Sequence, residues 1–353
     1  MMARKKTIFL LALVVLIAIA ILASGNIPPA EAAKTASTEK SYQWRMTGWQ
    51  VRGTLVGNEM EEFCKLVTEM SGGRLKLMPC FGGEVLSQAE AFNGLRAGIC
   101  QIGSPWPGFY TGALPEAMIE TGLPFSVQNL HEQQIMIKER GWGELLREAY
   151  AERNLYWLGD FVQPRPATMF REPIQSLEEL KGRKLRAPGG PVANTLAACG
   201  GKIVMLPVAE LYTALMTGTV DGFTDGHLGM VYDLKLYEFA KYLMDPPLGM
   251  LIGPVVVNMK AWNSLPKDLQ LILQSAFDTY TIMIDTREGG YCSAKWTEMK
   301  TKGCKKCRLP ESDRAELRKI ADTIWNKAAS ANSRCTKMVD LLKEYLAELD
   351  RLD

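Results

Sequence analysis

The stretch Lys184-Leu185-Arg186-Ala187-Pro188-Gly189-Gly190 places a guanidinium at the end of a short strand. Pro-Gly-Gly stops the strand ladder there and opens that end to a crevice. A planar guanidinium grips a carboxylate through two hydrogen bonds and keeps its charge at every relevant pH. Arg186 therefore suits capture of a small organic anion. Geometry alone equally allows a solvated surface arginine or an ion pair between lobes. Other chemistry is thinly represented. The chain has two histidines, His131 and His227; His131 suits a surface helix start, and His227 suits a satisfied loop residue close to a crevice. No Walker loop, G-x-G-x-x-G, His-x-x-x-His or Ser-His-Asp arrangement is present, so the chain reads as a binder rather than an enzyme.

The elements around Arg186 follow from local signals. Ser176 with Glu179 three residues on has the form of a capping box, and Gly182 suits a helix exit. Helix, strand, loop, helix, strand, helix and strand then run to Asp225. Upstream, Tyr42–Thr47 alternates as a strand, a helix spans about Thr54–Met70, and Arg74–Cys80 alternates again. A helix over Ser87–Ala97 leads through Gly98 into a strand at Ile99–Gly103. This alternation predicts a parallel sheet with helices on both faces. Leu95–Gly103 and Leu215–Phe223 echo each other as helix end, glycine exit and short strand, which predicts two lobes, each with its own sheet. Two such lobes present their strand ends across a cleft. Ser264-Leu265-Pro266 starts a helix running through Ile284 that is long enough to bridge both lobes. From Glu311 the chain is charged and helical, with an apolar stripe through Leu317, Ile320, Ile324, Met338, Leu341, Leu342, Tyr345 and Leu349. That spacing suits core packing, with a dimer contact as the alternative.

The 353 residues carry 41 Lys and Arg against 39 Asp and Glu, a net charge of +2, and nothing in that balance points to nucleic acid. Arg4, Lys5 and Lys6 precede an unbroken apolar run from Ile8 to Leu22. Ala30-Glu31-Ala32-Ala33 follows as a small-residue cleavage signal, so export is expected, with an uncleaved anchor as the alternative. Eight cysteines in an oxidising compartment permit disulfides, and about 105 pairings are formally open. Cys304-Lys-Lys-Cys307 reads as a local disulfide or two free thiols on a surface loop. The flanking lysines leave a redox role as the second reading.

Taken in order, Glu69–Leu77, the helix–Gly98–Ile99 unit, Leu180–Pro188, Leu211–Gly222 and Trp262–Gln270 resemble the substrate-binding subunits of tripartite ATP-independent periplasmic (TRAP) transporters, the dicarboxylate-binding-protein type. The resemblance covers nearly all of the expected mature chain. It implies an α/β, two-lobed Venus-flytrap fold with a long bridging helix and a helical C-terminus. The expected division is a signal peptide over 1–33, a first lobe over 34–163 with part of 252–290, a second over 164–251 with part of 291–330, and a C-terminal helix over 331–353. It also implies that Arg186 holds the ligand carboxylate, that Phe223, Thr224 and Asp225 line the pocket, and that Gln163 or Arg165 adds a polar group. The first-lobe wall would come from Trp49, Gln50, Ser104, Trp106 and Tyr110. Those aromatics suit a flat or apolar ligand body, with core packing the alternative for Tyr110. Asp225 reads either as the partner that orients Arg186 or as the group that meets a ligand amine or hydroxyl.

Departures from the family pattern bear on the ligand. Sialic-acid-type members carry asparagine at the Asp225 position and a second arginine near Pro166; Arg165 is one position away. Keto-acid-type members hold a metal ion with a glutamate-tryptophan pair at the positions of Thr224 and Asp225, together with a glutamine matching Gln163. Here no cofactor is expected, and a cation beside the ligand is the alternative. The implied role is periplasmic capture of a small organic acid for delivery to the membrane subunits of the transporter. The alternatives are a zwitterionic, amino-acid-like solute or an anchored ligand sensor.

Overall fold

The protein is described by a computed structural model over residues 40–163 and 166–352. The expected signal segment and Arg165 lie outside the described residues. Among those described, the strands run β1 (Tyr42–Gly48), β2 (Leu75–Cys80), β3 (Ile102–Ser104), β4 (Leu155–Gln163), β5 (Ala167–Phe170) and β6 (Lys184–Arg186). They continue as β7 (Lys202–Val204), β8 (Gly222–Asp225), β9 (Tyr242–Asp245), β10 (Leu251–Asn258) and β11 (Lys305–Arg308). They form two sheets, ordered β2-β1-β3-β10-β4 and β11-β9-β5-β8-β6-β7. Read from the other edge, the second sheet repeats the first position for position, with β11 added at its far side. The chain passes from the first sheet to the second between β4 and β5, and returns between β9 and β10.

Each sheet is parallel only in part. β1 runs parallel to β2 and β3, and β6 runs parallel to β7 and β8. β10 is antiparallel to β3 and β4, and β5 is antiparallel to β8 and β9. The wholly parallel expectation fails at these positions because each sheet accepts a strand arriving from the other lobe. β10 is buried along its whole length, as a strand covered on both faces should be. The internal echo holds: Gly98 at φ +78° and Gly218 at φ +72° end the two short helices that lead into β3 and β8. The first of those strands begins later than expected, since Ile99–Gln101 stays outside the ladder.

Helix Leu55–Met70 starts where Thr54 Oγ1 accepts from Gly57 N at 3.2 Å. It buries Met60, Phe63 and Val67, and Phe63 meets Phe277 edge to face with ring centres 6.3 Å apart. Phe277 belongs to the helix Lys267–Thr301, whose 35 residues extend about 52 Å at 1.5 Å per residue. That helix bridges the lobes. Near its start Phe277 closes on Gly159 of β4, where a Cβ would sit 2.4 Å from the ring. Near its end Met299 is buried in the second lobe with Leu211, Leu215 and Val231. The C-terminal helices Glu311–Ala329 and Ser333–Glu348 bury Trp325, Met338, Leu342 and Leu346 among first-lobe residues. Most of their apolar stripe is core packing, while Leu349 at its end is 41% exposed.

Two local expectations are corrected. Residues Leu177–Leu180 form one 3-10 turn, and the Ser176 side chain makes no cap bond. Asp313 from the helix Glu311–Ala329 accepts from Leu177 N at 2.7 Å instead, while Glu179 accepts from Gln175 N at 3.1 Å. A carboxylate from a distant helix has displaced the local hydroxyl. Cys304 and Cys307 are buried rather than on a surface loop, and all eight cysteines are free thiols. Burial holds the Cys304 thiol above its usual range despite Lys241 nearby, which argues against an activated thiol at Cys304. Because Asp313 supplies the cap, Asp313→Ala should destabilise the fold by about 1 kcal/mol, whereas Ser176→Ala should cost a few tenths at most. Urea unfolding of the two variants checks this, and equal losses would reassign the cap to Ser176.

Candidate binding cleft between the lobes

The carboxyl ends of β1, β3 and β4 lie at one edge of the first sheet, and those of β6 and β8 at one edge of the second. Arg186 ends β6 and is 1% exposed. Its Nε donates to Leu206 O at 3.0 Å, and Nη1 donates to Asp225 Oδ2 at the end of β8. Asp225 Oδ1 accepts from Gly226 N at 2.8 Å. The carboxylate is thus fixed by its own backbone and fixes the guanidinium in turn. Of the two readings for Asp225, the orienting ion pair is the one present. Strand order explains it: β6 pairs β8 in parallel with Arg186 beside Phe223, so the residue two further along β8 reaches the guanidinium.

The first-lobe edge is aromatic and rich in unpaired polar atoms. Trp49 meets Trp106 edge to face at 5.8 Å and stacks on Phe161 at 6.3 Å. Gly253 of β10 lets Phe161 and Trp106 approach, since a Cβ there would lie 2.7 Å from the Phe161 ring. Of thirteen buried side-chain atoms without a hydrogen-bond partner among the described residues, six lie here: Thr47 Oγ1, Trp49 Nε1, Gln50 Oε1, Ser104 Oγ, Trp106 Nε1 and Gln163 Nε2. All belong to the ends of β1, β3 and β4 or the loops that leave them. The lobes meet close by. A Cβ on Gly108 would stand 2.0 Å from Pro188 O, and one on Gly189 would stand 2.7 Å from Gly108 O. Glycine at both positions lets the loop after β3 touch the loop after Arg186.

Three candidate residues turn away from this edge. Phe223 is packed in the second-lobe core with Leu211, Leu215 and Val231; it shares a strand face with Asp225 but lies two residues short of the strand end, beneath the covering helices. Thr224 accepts from Thr168 Oγ1 at 2.9 Å across the β5–β8 pair. Tyr110 stacks on Phe92 at 4.1 Å, and its hydroxyl lies 2.8 Å from that of Tyr150. Tyr150 donates to Glu120 Oε2 at 2.5 Å, and Trp157 Nε1 donates to Glu120 Oε1 at 2.8 Å. Tyr110 is therefore part of a buried polar network and not of the cleft wall. Phe161, Thr47 and the Leu206 carbonyl were not singled out from sequence. A backbone acceptor carries no residue signature. Thr47 could have been found, since it pairs with Gly103 as Arg186 pairs with Phe223, and the echo aligns those two partners.

Two interlocked α/β lobes, joined by a bridging helix and closing on a buried arginine, define a bilobal solute-binding protein. The chain belongs to the bacterial extracellular solute-binding proteins of family 7, whose pattern it matches over residues 49–332. It is 26% identical over 320 residues to the monocarboxylate 2-oxoacid-binding periplasmic protein of Nostoc sp. (strain PCC 7120), covering 88% of this chain and 85% of that one. It resembles a TRAP periplasmic solute-binding protein from Pseudoalteromonas atlantica T6c with bound sodium and pyruvate, at 25% identity and a TM-score of 0.80, covering 88% and 95% of the two chains. A TRAP periplasmic solute-binding protein from Chromohalobacter salexigens with bound (S)-(+)-2-amino-1-propanol is also similar in fold, at 19% identity and a TM-score of 0.80, covering 88% and 97%. The family is extracytoplasmic and serves transport.

The polar network beneath the cleft sets a pH dependence. Asp160 of β4 accepts from Gln133 Nε2 at 2.9 Å, and burial lifts its carboxyl to about 7. Burial, then the neighbouring Asp160, pushes Glu120 up as well. A carboxyl with a raised folded pKa holds a proton that the unfolded chain has released, so its contribution to stability is complete below about pH 4 and fades as pH rises through about 7. Replacing Asp160 by Asn keeps the acceptor for Gln133 and removes the titration. The parent's melting temperature should fall between pH 5 and 8, and Asp160→Asn should flatten that fall; parallel curves for the two proteins would contradict the assignment.

Proposed function

We propose that this chain captures a small organic acid by its carboxylate and hands it to the membrane subunits of a TRAP transporter. The observation that carries the reading is Arg186, buried at a strand end and oriented by Asp225, next to a first-lobe edge whose polar atoms have no partner among the described residues. A buried donor left unpaired costs about 1–3 kcal/mol. A cluster of them at one strand edge is more readily explained by a ligand they serve than by packing. In this reading Arg186 grips the carboxylate, and Trp49, Trp106 and Gln163 donate to the ligand's other oxygens. Arg165, two residues after Gln163, is kept as a candidate. The Trp49–Trp106–Phe161 group covers the apolar body. A keto, hydroxy or aromatic monocarboxylate fits this division, in line with what the Nostoc relative is named for.

Closure follows from the same arrangement. The carboxylate would meet Arg186 in the second lobe while its remaining atoms meet donors of the first, so ligand binds the closed form better and shifts the population toward it. The closed surface would then be the one read by the membrane subunits. The N-terminal basic and apolar segment fits export to the periplasm with cleavage near Ala33. The lobe divisions near 163 and 251 are kept as part of this proposal. A second reading, a zwitterionic solute, draws on the aminopropanol-bound neighbour. It is the weaker one, because Asp225 already spends its oxygens on Arg186 and Gly226. A cation beside the ligand is kept as the alternative.

A thermal-shift screen over monocarboxylates, dicarboxylates, amino acids and amino alcohols identifies the ligand, since a molecule that binds only the folded state raises its melting point. The expected hits are monocarboxylates. Arg186→Ala should then weaken the best of them by about 2–5 kcal/mol in calorimetry. Unchanged affinity in that variant, or stabilisation by amino alcohols alone, would overturn the carboxylate reading.

A further inference from the structure

The two loops that touch across the lobes each lie two residues beyond a group of the candidate site. Pro188 follows Arg186 by two residues, and Gly108 follows Trp106 by two. Both Arg186 and Trp106 are buried. Trp106 is extended, at φ −77° and ψ 124°, and the turn Pro107–Phe109 begins directly after it. A Cβ on Gly108 would lie 2.0 Å from Pro188 O and 3.0 Å from Gly189 C. The two lobes therefore meet backbone to backbone, with no side chain between them. Arms of two residues leave little slack. The contact thus sets how far the Arg186 guanidinium stands from Trp106 Nε1, a donor with no partner among the described residues.

The glycines of this seam are glycine for different reasons. Gly189 and Gly190 both sit at φ +81°, a conformation that residues with a side chain rarely adopt. Gly108 has no such requirement, since its φ lies outside the left-handed region. The three atoms nearest a Cβ at that position all belong to Pro188 and Gly189. Only the second lobe requires residue 108 to lack a side chain. The contact continues along the helix Gly190–Ala198 that follows Arg186. A Cβ on Gly190 would lie 3.1 Å from Thr121 Cγ2, and Asn194 Nδ2 lies 3.8 Å from Met118 Sδ.

We propose that Gly108 is a positioning residue that sets the length of ligand the closed cleft accepts. The inference rests on the carboxylate reading above, in which Arg186 holds one end of the ligand and the first-lobe edge holds its other oxygens. With the loops in contact the span between those anchors is at its shortest, and short acids bridge it. A methyl carbon needs about 3.3 Å from a carbonyl oxygen, so a side chain at 108 parts the loops by roughly 1 Å. That is close to the reach of one added methylene. The gap opens between the lobes and not within either. The Arg186–Asp225 pair and the Trp49–Trp106–Phe161 group therefore keep their own geometry, and the widened cleft closes best on a longer acid.

Gly112, four residues on, separates this role from a general effect of glycine on the loop. It is exposed, nothing lies within 4 Å of a Cβ built on it, and its φ is also outside the left-handed region. Gly112→Ala changes the backbone freedom of the same segment without meeting the other lobe.

The test compares the parent, Gly108→Ala and Gly112→Ala by calorimetry with straight-chain 2-oxoacids of three to six carbons. The parent should favour the shorter acids. In Gly108→Ala the ratio of affinities for the five-carbon over the three-carbon acid should rise about tenfold, while Gly112→Ala should keep the parent's ratio. Circular dichroism of Gly108→Ala should match the parent, because neither lobe is altered internally. An unchanged ratio in Gly108→Ala, an equal rise in Gly112→Ala, or loss of fold in Gly108→Ala would overturn the proposal and leave the carboxylate reading standing. A parent that binds none of the series would bring down the carboxylate reading, and this proposal with it.

Discussion

A guanidinium 1% exposed at a strand end is the constraint around which the second lobe is arranged. A charge taken out of water is costly unless it is paired and hydrogen-bonded. Arg186 meets that condition through two strands and a loop: Asp225 supplies the counter-charge from β8, and Leu206 supplies a carbonyl from beyond β7. The parallel pairing of β6 with both β7 and β8 is what brings these groups to one edge. A slip of one residue in the β6–β8 register would turn the guanidinium to the other face of the sheet and leave Asp225 unpaired.

The fold repeats this arrangement once. β1 stands in the first sheet where β6 stands in the second, and Thr47 occupies the place of Arg186. The two halves have diverged in chemistry while keeping geometry. One edge carries a fixed charge with its partners in place, and the other carries indoles, an amide and hydroxyls that lack partners among the described residues. Because β5 and β10 each lie in the sheet of the opposite half, the lobes are connected through the middles of their sheets rather than by a tether. The bridging helix adds a third connection, packed on Phe63 and Gly159 at one end and buried in the second lobe at Met299.

Much of this was legible in the residues because it rests on local signals. Glycine exits at Gly98 and Gly218, the Pro-Gly-Gly stop after Arg186 and the Pro266 helix start are short-range devices, and the order of elements followed from them. What escaped was set by distant partners. The Ser176 cap lost to Asp313, a residue whose approach depends on where the C-terminal helix packs. The antiparallel strands β5 and β10 come from crossings that no local periodicity encodes. Phe223 and Tyr110 looked like cleft residues by position along the chain, but depth below the strand end and a buried hydroxyl network claimed them. Arg186 and Asp225 were legible as residues, while their pairing depended on strand order.

The division between the two edges also bears on selectivity under the proposed reading. A prepaired arginine is a poor discriminator among carboxylates, since its fork is satisfied by any of them. Discrimination then falls to the first-lobe edge, where each donor rejects a ligand that leaves it unpaired in the closed state. A site built to hydrogen-bond a ligand oxygen penalises analogues lacking it far more than an apolar wall penalises a missing methylene. Trp49, Trp106 and Gln163 would thus decide which acid is held, and Arg186 would decide only that it is an acid. The first lobe could change its ligand by substitution at these loop positions without disturbing the ion pair on which the second lobe depends.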